Sequence, residues 1–508
     1  MPELSRRRRL LVLAVCCSSL FIVGLDATIV NIALPSIQRD LHAPVSGLQW
    51  TIDAYTLVVA SFLILAGSTG DRVGRRRTFQ VGLATFTLGS LLCSLAPSLG
   101  WLVAFRAVQA IGGSMLNPVA LSIIANTFTD DRERARALGI WGAVFGLSMA
   151  LGPVVGGVLV ASVGWRGIFW VNIPVGIAAI VATALVVPES RAPHARRVDP
   201  VGQVLIIVML ASLTYAIIEG PRQGWSSGII LGLFGVSAAA AAALAIYEPR
   251  REEPLLDLRF FRSAPFTGAV VIAVTAFSAL AGFLFLNTLY LQDARHLSAL
   301  HAGLYTLPMA AMTVLLAPLS GRITGARGPR IPLLVAGVMT TAGALLMSGV
   351  TAATPVAFLM LAYVVLGIGN GMVNPPISVT AVSGMPRSQA GVAAAVASTS
   401  RQVGASLGVA LTGSAVASAL HGSLGTGFVA ASHTGWLIVA GCGVLVLVSG
   451  LATSGRWARA TAARTAERLM SEEANVPVTA PDRGRPGPER GDRSDDHGDL
   501  AHGRAISP

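Results

Sequence analysis

The chain has 508 residues, of which 53% are hydrophobic and only 12% are charged. Soluble domains carry about 25% charged residues, so this composition describes an all-α polytopic membrane protein. The net charge of +12 does not point to nucleic acid, because the basic residues fall in short loops between apolar runs. All 37 basic residues are arginine. A P-loop needs a lysine to reach the phosphates, so no pump of that type is expected within this chain.

The first run begins at Leu10, directly after Arg6-Arg7-Arg8-Arg9, and continues to about Leu34. It is too long for a cleaved signal segment and reads as a first span. A span needs about 20 mostly apolar residues. Further spans are expected near 48–69, 78–97, 99–126, 136–160, 168–187, 201–219, 227–247, 265–291, 300–320, 331–350, 355–382, 391–418 and 434–453, about fourteen in all. Arginine sets their orientation. Loops after even-numbered spans hold Arg72, Arg75, Arg76, Arg77, Arg132, Arg134, Arg136, Arg191, Arg196, Arg197, Arg250, Arg251, Arg259, Arg262, Arg322, Arg327, Arg330 and Arg387. The other side shows Arg39, Arg166, Arg222 and Arg295. The positive-inside rule therefore places both termini in the cytoplasm.

Two stretches repeat. "AIGGSMLNP" (110–118) and "GIGNGMVNP" (367–375) share Ile, Gly, Met, Asn and Pro in register, and "GDRVGRR" (70–76) is echoed by "GRITGAR" (321–327). Two parallel six-span halves related by an axis along the membrane normal would give both echoes. The expected organisation is a cytoplasmic N-terminus (1–9), one half (10–190), a linker with two extra helices (191–262), a second half (263–455) and a tail (456–508) with a short amphipathic start followed by disorder.

Buried charge is scarce. Within apolar segments lie Asp26, Asp53 and, near an outer end, Glu219, together with Arg106 and Arg401. At 1.5 Å per residue, Asp26 stands roughly 15 Å, Arg106 roughly 10 Å and Asp53 roughly 7 Å from the outer surface. Asp26 and Arg106 can therefore be level, with Asp53 above them. In the repeat register Arg106 corresponds to Tyr363, and the stretch equivalent to the first span has Asn287 but no acid. An intramembrane ionisable group is a functional candidate by default. A static packing pair is the competing account for Asp26 and Arg106, simple solvation for Asp53, an interfacial acid for Glu219, and charge balance in the second half for Arg401. No histidine lies mid-span, so no histidine relay is expected. Cys16, Cys17, Cys93 and Cys442 lack metal-ligand spacing and read as small packing residues.

Four motifs on successive segments resemble the major facilitator superfamily, in its fourteen-span drug:proton antiporter branch. They are "LDATIVNIALP" (25–35), "GSTGDRVGRRR" (67–77), "RAVQAIGGSMLNP" (106–118) and "GPVVGG" (152–157), with "WRGIFWVNIPVG" (165–176) alongside. Ala110 departs from the glycine usual in the fourth-span motif. The resemblance covers residues 10–455 and implies a major facilitator fold: two six-helix halves plus two extra central helices. It implies proton-driven export of a hydrophobic or cationic small molecule across a bacterial cell membrane. Proton coupling falls to Asp26, Arg106 and Asp53, with Asp26 as carrier. A cytoplasmic gate is implied at Asp71, Arg72, Gly74, Arg75 and Arg76. Gly152, Pro153, Gly156 and Gly157 would form a bent helix on which the halves rock. In the second half, "GVALTG" (408–413) lacks the proline, and Arg322 stands where Asp71 would align. A monomer is expected, contacting protons and membrane lipid, with no cofactor, no metal and no enzymatic activity. A symporter or uniporter for a metabolite, or a non-transporting sensor, are the alternatives.

Overall fold

The computed structural model describes residues 5–192, 199–251, 254–255, 257–386, 389–421 and 424–474. Arg196, Arg197, Arg387 and the tail from 475 onward lie outside the described residues. Every long apolar run is a helix, and there is no strand among the described residues.

The first half contains α1 (Arg6–Leu41), α2 (Val45–Val73), α3 (Arg75–Ser94), α4 (Leu99–Thr127), α5 (Asp131–Val163), a short α6 (Gly167–Trp170) and α7 (Asn172–Val186). An extra hairpin follows, α8 (Pro200–Gln223) and α9 (Gly228–Tyr247). The second half contains α10 (Ala264–Leu289), which ends in a π-turn over Tyr290–Ala294, then α11 (Ala299–Tyr305), α12 (Leu307–Arg327), α13 (Arg330–Ser348), α14 (Val356–Val382), α15 (Ala390–Ala419) and α16 (Leu424–Thr453). The amphipathic start expected after residue 456 is α17 (Arg456–Ala474), which turns Ala458, Ala462, Thr465 and Leu469 inward.

Twelve helical segments among the described residues are long and apolar enough to cross a membrane. That is two fewer than the sequence reading expected. The two that fall short are α3, which opens on Arg75-Arg76-Arg77, and α15, which carries the polar run Ser398 to Gln402. Both pack on neighbouring helices, α3 on α4 and α7, and α15 on α10 and α2; α3 still turns Val81, Leu88 and Leu91 outward.

The two halves share a core at one end only. At the arginine-poor end, one apolar cluster joins Leu34, Ile37 and Leu48 of the first half to Phe283, Leu286, Tyr363 and Trp436 of the second. At the arginine-rich end the cores separate. One contains only first-half residues such as Leu13, Phe79 and Ile124, and another only second-half residues such as Leu333, Ile377 and Val446. Glycines along the arginine-rich stretches of α5, α12 and α15 (Gly139, Gly142, Gly146, Gly325 and Gly391) face open space. The halves therefore meet as a V.

Two seams close the V. On one, Pro153, Gly157 and Gly303 bring the backbones of α5 and α11 together. A Cβ at Gly157 would stand 2.7 Å from the carbonyl oxygen of Ala299, and one at Gly303 would collide with that of Pro153. Small residues permit such approach, and van der Waals packing then holds the helices. Gly152 and Gly156 serve a different contact, against Thr28 and Ile29 of α1. Gly142 and Gly146 touch nothing, so the small-residue face of α5 is confined to its arginine-poor portion. On the other seam, Gln49 of α2 donates to the carbonyls of Val409 (3.3 Å) and Ala410 (2.9 Å) of α15. Helix α8 lies across this second seam. Gln203 donates to the carbonyl of Ser61 on α2, and the carbonyl of Ile217 accepts from Ser414 on α15.

Candidate functional site

Asp26 and Arg106 meet. The Asp26 Oδ2 accepts from Arg106 Nη1 at 2.6 Å, and the two residues are 0% and 1% exposed. The other carboxylate oxygen accepts from Gln109 Nε2 (2.8 Å) and Asn172 Nδ2 (3.1 Å). Both amides also donate to Ser90 Oγ. Arg106 donates further to Gln109 Oε1 (2.7 Å) and to the Thr51 carbonyl (3.2 Å), and its guanidinium lies 4.3 Å from the centre of the Tyr55 ring. Six helices, α1 to α4, α6 and α7, thus contribute to one charged cage; α6 adds the Phe169 ring, 5.9 Å from the guanidinium. A buried pair repays its desolvation only when the remaining donors and acceptors are also met, and this cage comes close to meeting all of them.

Gln109, Asn172 and Ser90 were not singled out in the sequence. Gln109 stands one turn from Arg106, and Asn172 lies in the quoted "WVNIPVG", so both were in view but carried no charge to draw attention. The second half repeats the arrangement without charge. Tyr363 donates its hydroxyl to Asn287 Oδ1 at 2.5 Å, so the register that paired Arg106 with Tyr363 describes real neighbours.

Asp53 does not join the cage. It is 0% exposed and turns toward α15, where the Ser406 hydroxyl faces it. Thr56 donates to its Oδ1 at 3.2 Å, while Oδ2 lacks a hydrogen-bond partner within bonding distance. Its place is the seam between the halves. Glu219 sits in the last turns of α8, near its arginine-poor end. It is 7% exposed, accepts from Trp50 Nε1 at 3.1 Å and pairs with Arg222 at 3.6 Å.

At the arginine-rich end, Asp71 pairs with Arg75 at 2.8 Å across the α2–α3 break. Gly74 turns that corner at φ +127°, a conformation that disfavours any side chain. Arg72 is exposed. Glu189, missed in the sequence, closes the corner from beyond α7. It accepts from the backbone N–H of Arg76 at 3.0 Å, at the start of α3, and lies 3.8 Å from Arg77. Among the described residues Arg401 has no carboxylate partner. It donates to Ser378 Oγ at 2.8 Å.

These features match a known family. The model of the Major Facilitator Superfamily matches residues 16–409. The chain belongs to the major facilitator superfamily. As a major facilitator it is a multi-pass membrane transporter rather than an enzyme. It is 37% identical over 392 residues to the multidrug resistance protein Stp of Mycobacterium tuberculosis, covering 77% of this chain and 73% of the relative. It is 39% identical over 373 residues to the tetracenomycin C resistance and export protein of Streptomyces glaucescens, covering 73% and 69%. Among solved structures, a bacterial homologue of the human lysosomal transporter Spinster, in an inward-facing and unoccupied conformation, aligns with a TM-score of 0.60. It is 18% identical and covers 92% of this chain and 99% of that one. The major facilitator fold follows from that likeness, and nothing about substrate does.

Proposed function

We propose that this major facilitator exports hydrophobic small molecules from the cytoplasm in exchange for protons, as a monomer in the cell membrane. Relatives named for multidrug resistance and for antibiotic export support the direction and the substrate class. Under this reading all fourteen long helical segments cross the bilayer, α3 and α15 included. Both termini and the arginine-rich loops are cytoplasmic, so the V opens inward. The same loops hold the anionic lipid surface.

The unequal surroundings of the two buried acids carry the proposal. Asp26 has both oxygens engaged by Arg106, Gln109 and Asn172. It can take a proton only when Arg106 withdraws. Asp53 keeps one oxygen without a bond, on a seam that must part when the transporter turns outward. An ionised carboxylate buried without a cation is costly, and protonation removes the cost. Water reaching the parted seam restores the charge. Asp53 therefore exchanges its proton as the seam opens and closes. Asp26 joins the cycle through Arg106, which also touches the turn of α2 that precedes Asp53.

Inverted membrane vesicles with an imposed pH gradient test this. Adding a lipophilic drug panel should release protons, followed by a fluorescent pH probe. Asp53→Asn should abolish the release while the protein remains folded. Asp26→Asn should reduce it strongly. Undiminished proton release in Asp53→Asn would transfer the carrier role to Asp26, and drug movement with no proton flux in wild type would refute antiport.

A further inference from the structure

Helices α2 and α15 meet in an antiparallel register. Gln49 of α2 donates to the carbonyl of Ala410 on α15 at 2.9 Å, and a Cβ at Gly413 would stand 2.5 Å from the Gln49 side chain. Further toward the arginine-rich end, Ala60 and Val403 belong to one apolar cluster. One helical turn beyond Gln49 stands Asp53, and one turn before Ala410 stands Ser406. The register therefore brings an acid of the first half against a hydroxyl of the second. The two residues are 0% and 2% exposed.

Their oxygens are unequally served. Asp53 Oδ1 accepts from Thr56 at 3.2 Å. Asp53 Oδ2 and Ser406 Oγ face each other's side chain, and neither has a partner within bonding distance. The charged groups on the helices around them are engaged elsewhere. Arg106 on α4 turns to Asp26, Glu219 on α8 is held by Trp50 and Arg222, and Arg401 on α15 turns to Ser378. The hydroxyl hydrogen of Ser406 can serve an ionised Asp53, but it leaves the charge buried without a cation, which is costly. A proton on Oδ2 removes the charge and supplies a donor for Ser406 Oγ, since a protonated carboxyl has one O–H to give and a hydroxyl oxygen can accept it.

We propose that Ser406 is the positioning residue that holds protonated Asp53 across the seam: the carboxyl O–H on Oδ2 donates to Ser406 Oγ while the seam is closed, and the bond is lost as α15 leaves α2. The proton comes from water that enters the parted seam and returns to it, so the carboxyl O–H is the one covalent bond made and broken. The inference rests on Asp53 exchanging its proton at the seam, and it names the group in the second half that responds to that proton. Binding of a proton by one half is thereby felt by the other as an attraction.

The test uses full-length protein in nanodiscs, spin-labelled on both sides of the α2–α15 seam at the arginine-poor end. The ratio of closed to parted molecules is read from the distances as pH is varied, without drug. In wild type the ratio should fall as pH rises. Asp53→Asn should stay closed at every pH, because its amide N–H can donate to Ser406 Oγ. Ser406→Ala should lower the closed ratio about five- to tenfold, the scale of one buried hydrogen bond, both in the wild-type background at low pH and in Asp53→Asn. Ser406→Thr keeps the hydroxyl and should recover the closed form. In Asp53→Leu, which has no hydrogen to give, Ser406→Ala should change nothing. Equal lowering in all three backgrounds, without recovery in Ser406→Thr, would overturn the proposal in favour of a packing role. An unchanged ratio in Ser406→Ala, with pH-dependent closing intact, would overturn it and leave the Asp53 reading standing. A wild-type ratio that ignores pH, with Asp53→Asn behaving as wild type, would remove the Asp53 reading and this inference together.

Discussion

Losing both partners of the Asp26–Arg106 pair should cost less than the two single losses added together. Asp26→Asn keeps an amide oxygen for Gln109 and Asn172 but leaves Arg106 charged at 1% exposure. Arg106 would retain the Thr51 carbonyl, the Gln109 oxygen and the Tyr55 ring. Losing one partner of a buried pair costs about 3–5 kcal/mol. The remaining acceptors and the ring should hold Asp26→Asn near the lower figure. Arg106→Gln leaves an ionised Asp26 with two neutral donors and should fall near the upper one. The double variant Asp26→Asn/Arg106→Gln has no buried charge left and should lose about 2–3 kcal/mol less than the two single losses added, within the range of contacting residues. Reversible unfolding in mixed micelles, followed by circular dichroism for all four proteins, gives the cycle. Additivity within about 0.5 kcal/mol, as expected of independent sites, would show that the cage is not held by this pair and would refute the reasoning.

Three other outcomes follow from the packing. Gly157→Leu or Gly303→Leu should prevent the α5–α11 seam from closing, because the obstacles are backbone atoms; spin-label distances across the arginine-poor end should lengthen and transport should stop. Gly142→Ala should be tolerated, because its Cβ meets nothing, and should gain about 0.5–1 kcal/mol of helix stability in an unfolding titration. Glu189→Gln should cost about 0.5–2 kcal/mol, the scale of a lost helix cap, and should increase protease cleavage between α2 and α3.

The helices and the meeting of Asp26 with Arg106 were legible in the sequence, since apolar runs and a fixed rise per residue set depth along the membrane normal. Rotation about the helix axis was not. Asp53 and Tyr55 are two residues apart, so at 3.6 residues per turn they point about 200° from each other. Once the Tyr55 ring meets Arg106, Asp53 must face elsewhere, and which neighbour waits there depends on the packing of the second half. Glu189 was hidden for another reason. It acts from a loop 113 positions from Arg76, the residue it caps, where no periodicity constrains it. The fourteen-span count rested on runs such as α15 whose polar residues are covered by other helices, a protection that composition alone does not record.

The close backbone contact at Gly157 makes α5 a lever with its fulcrum near one end. Gly142 lies roughly 22 Å along the helix from that point at 1.5 Å per residue. A tilt of about 10° about the contact therefore moves the far end by roughly 4 Å. A gate at that end could thus be worked by a rotation too small to disturb the backbone contact at the pivot. Efficiency of the stroke should then depend on the stiffness of α5 between Gly142 and Gly157, a stretch that contains the proline.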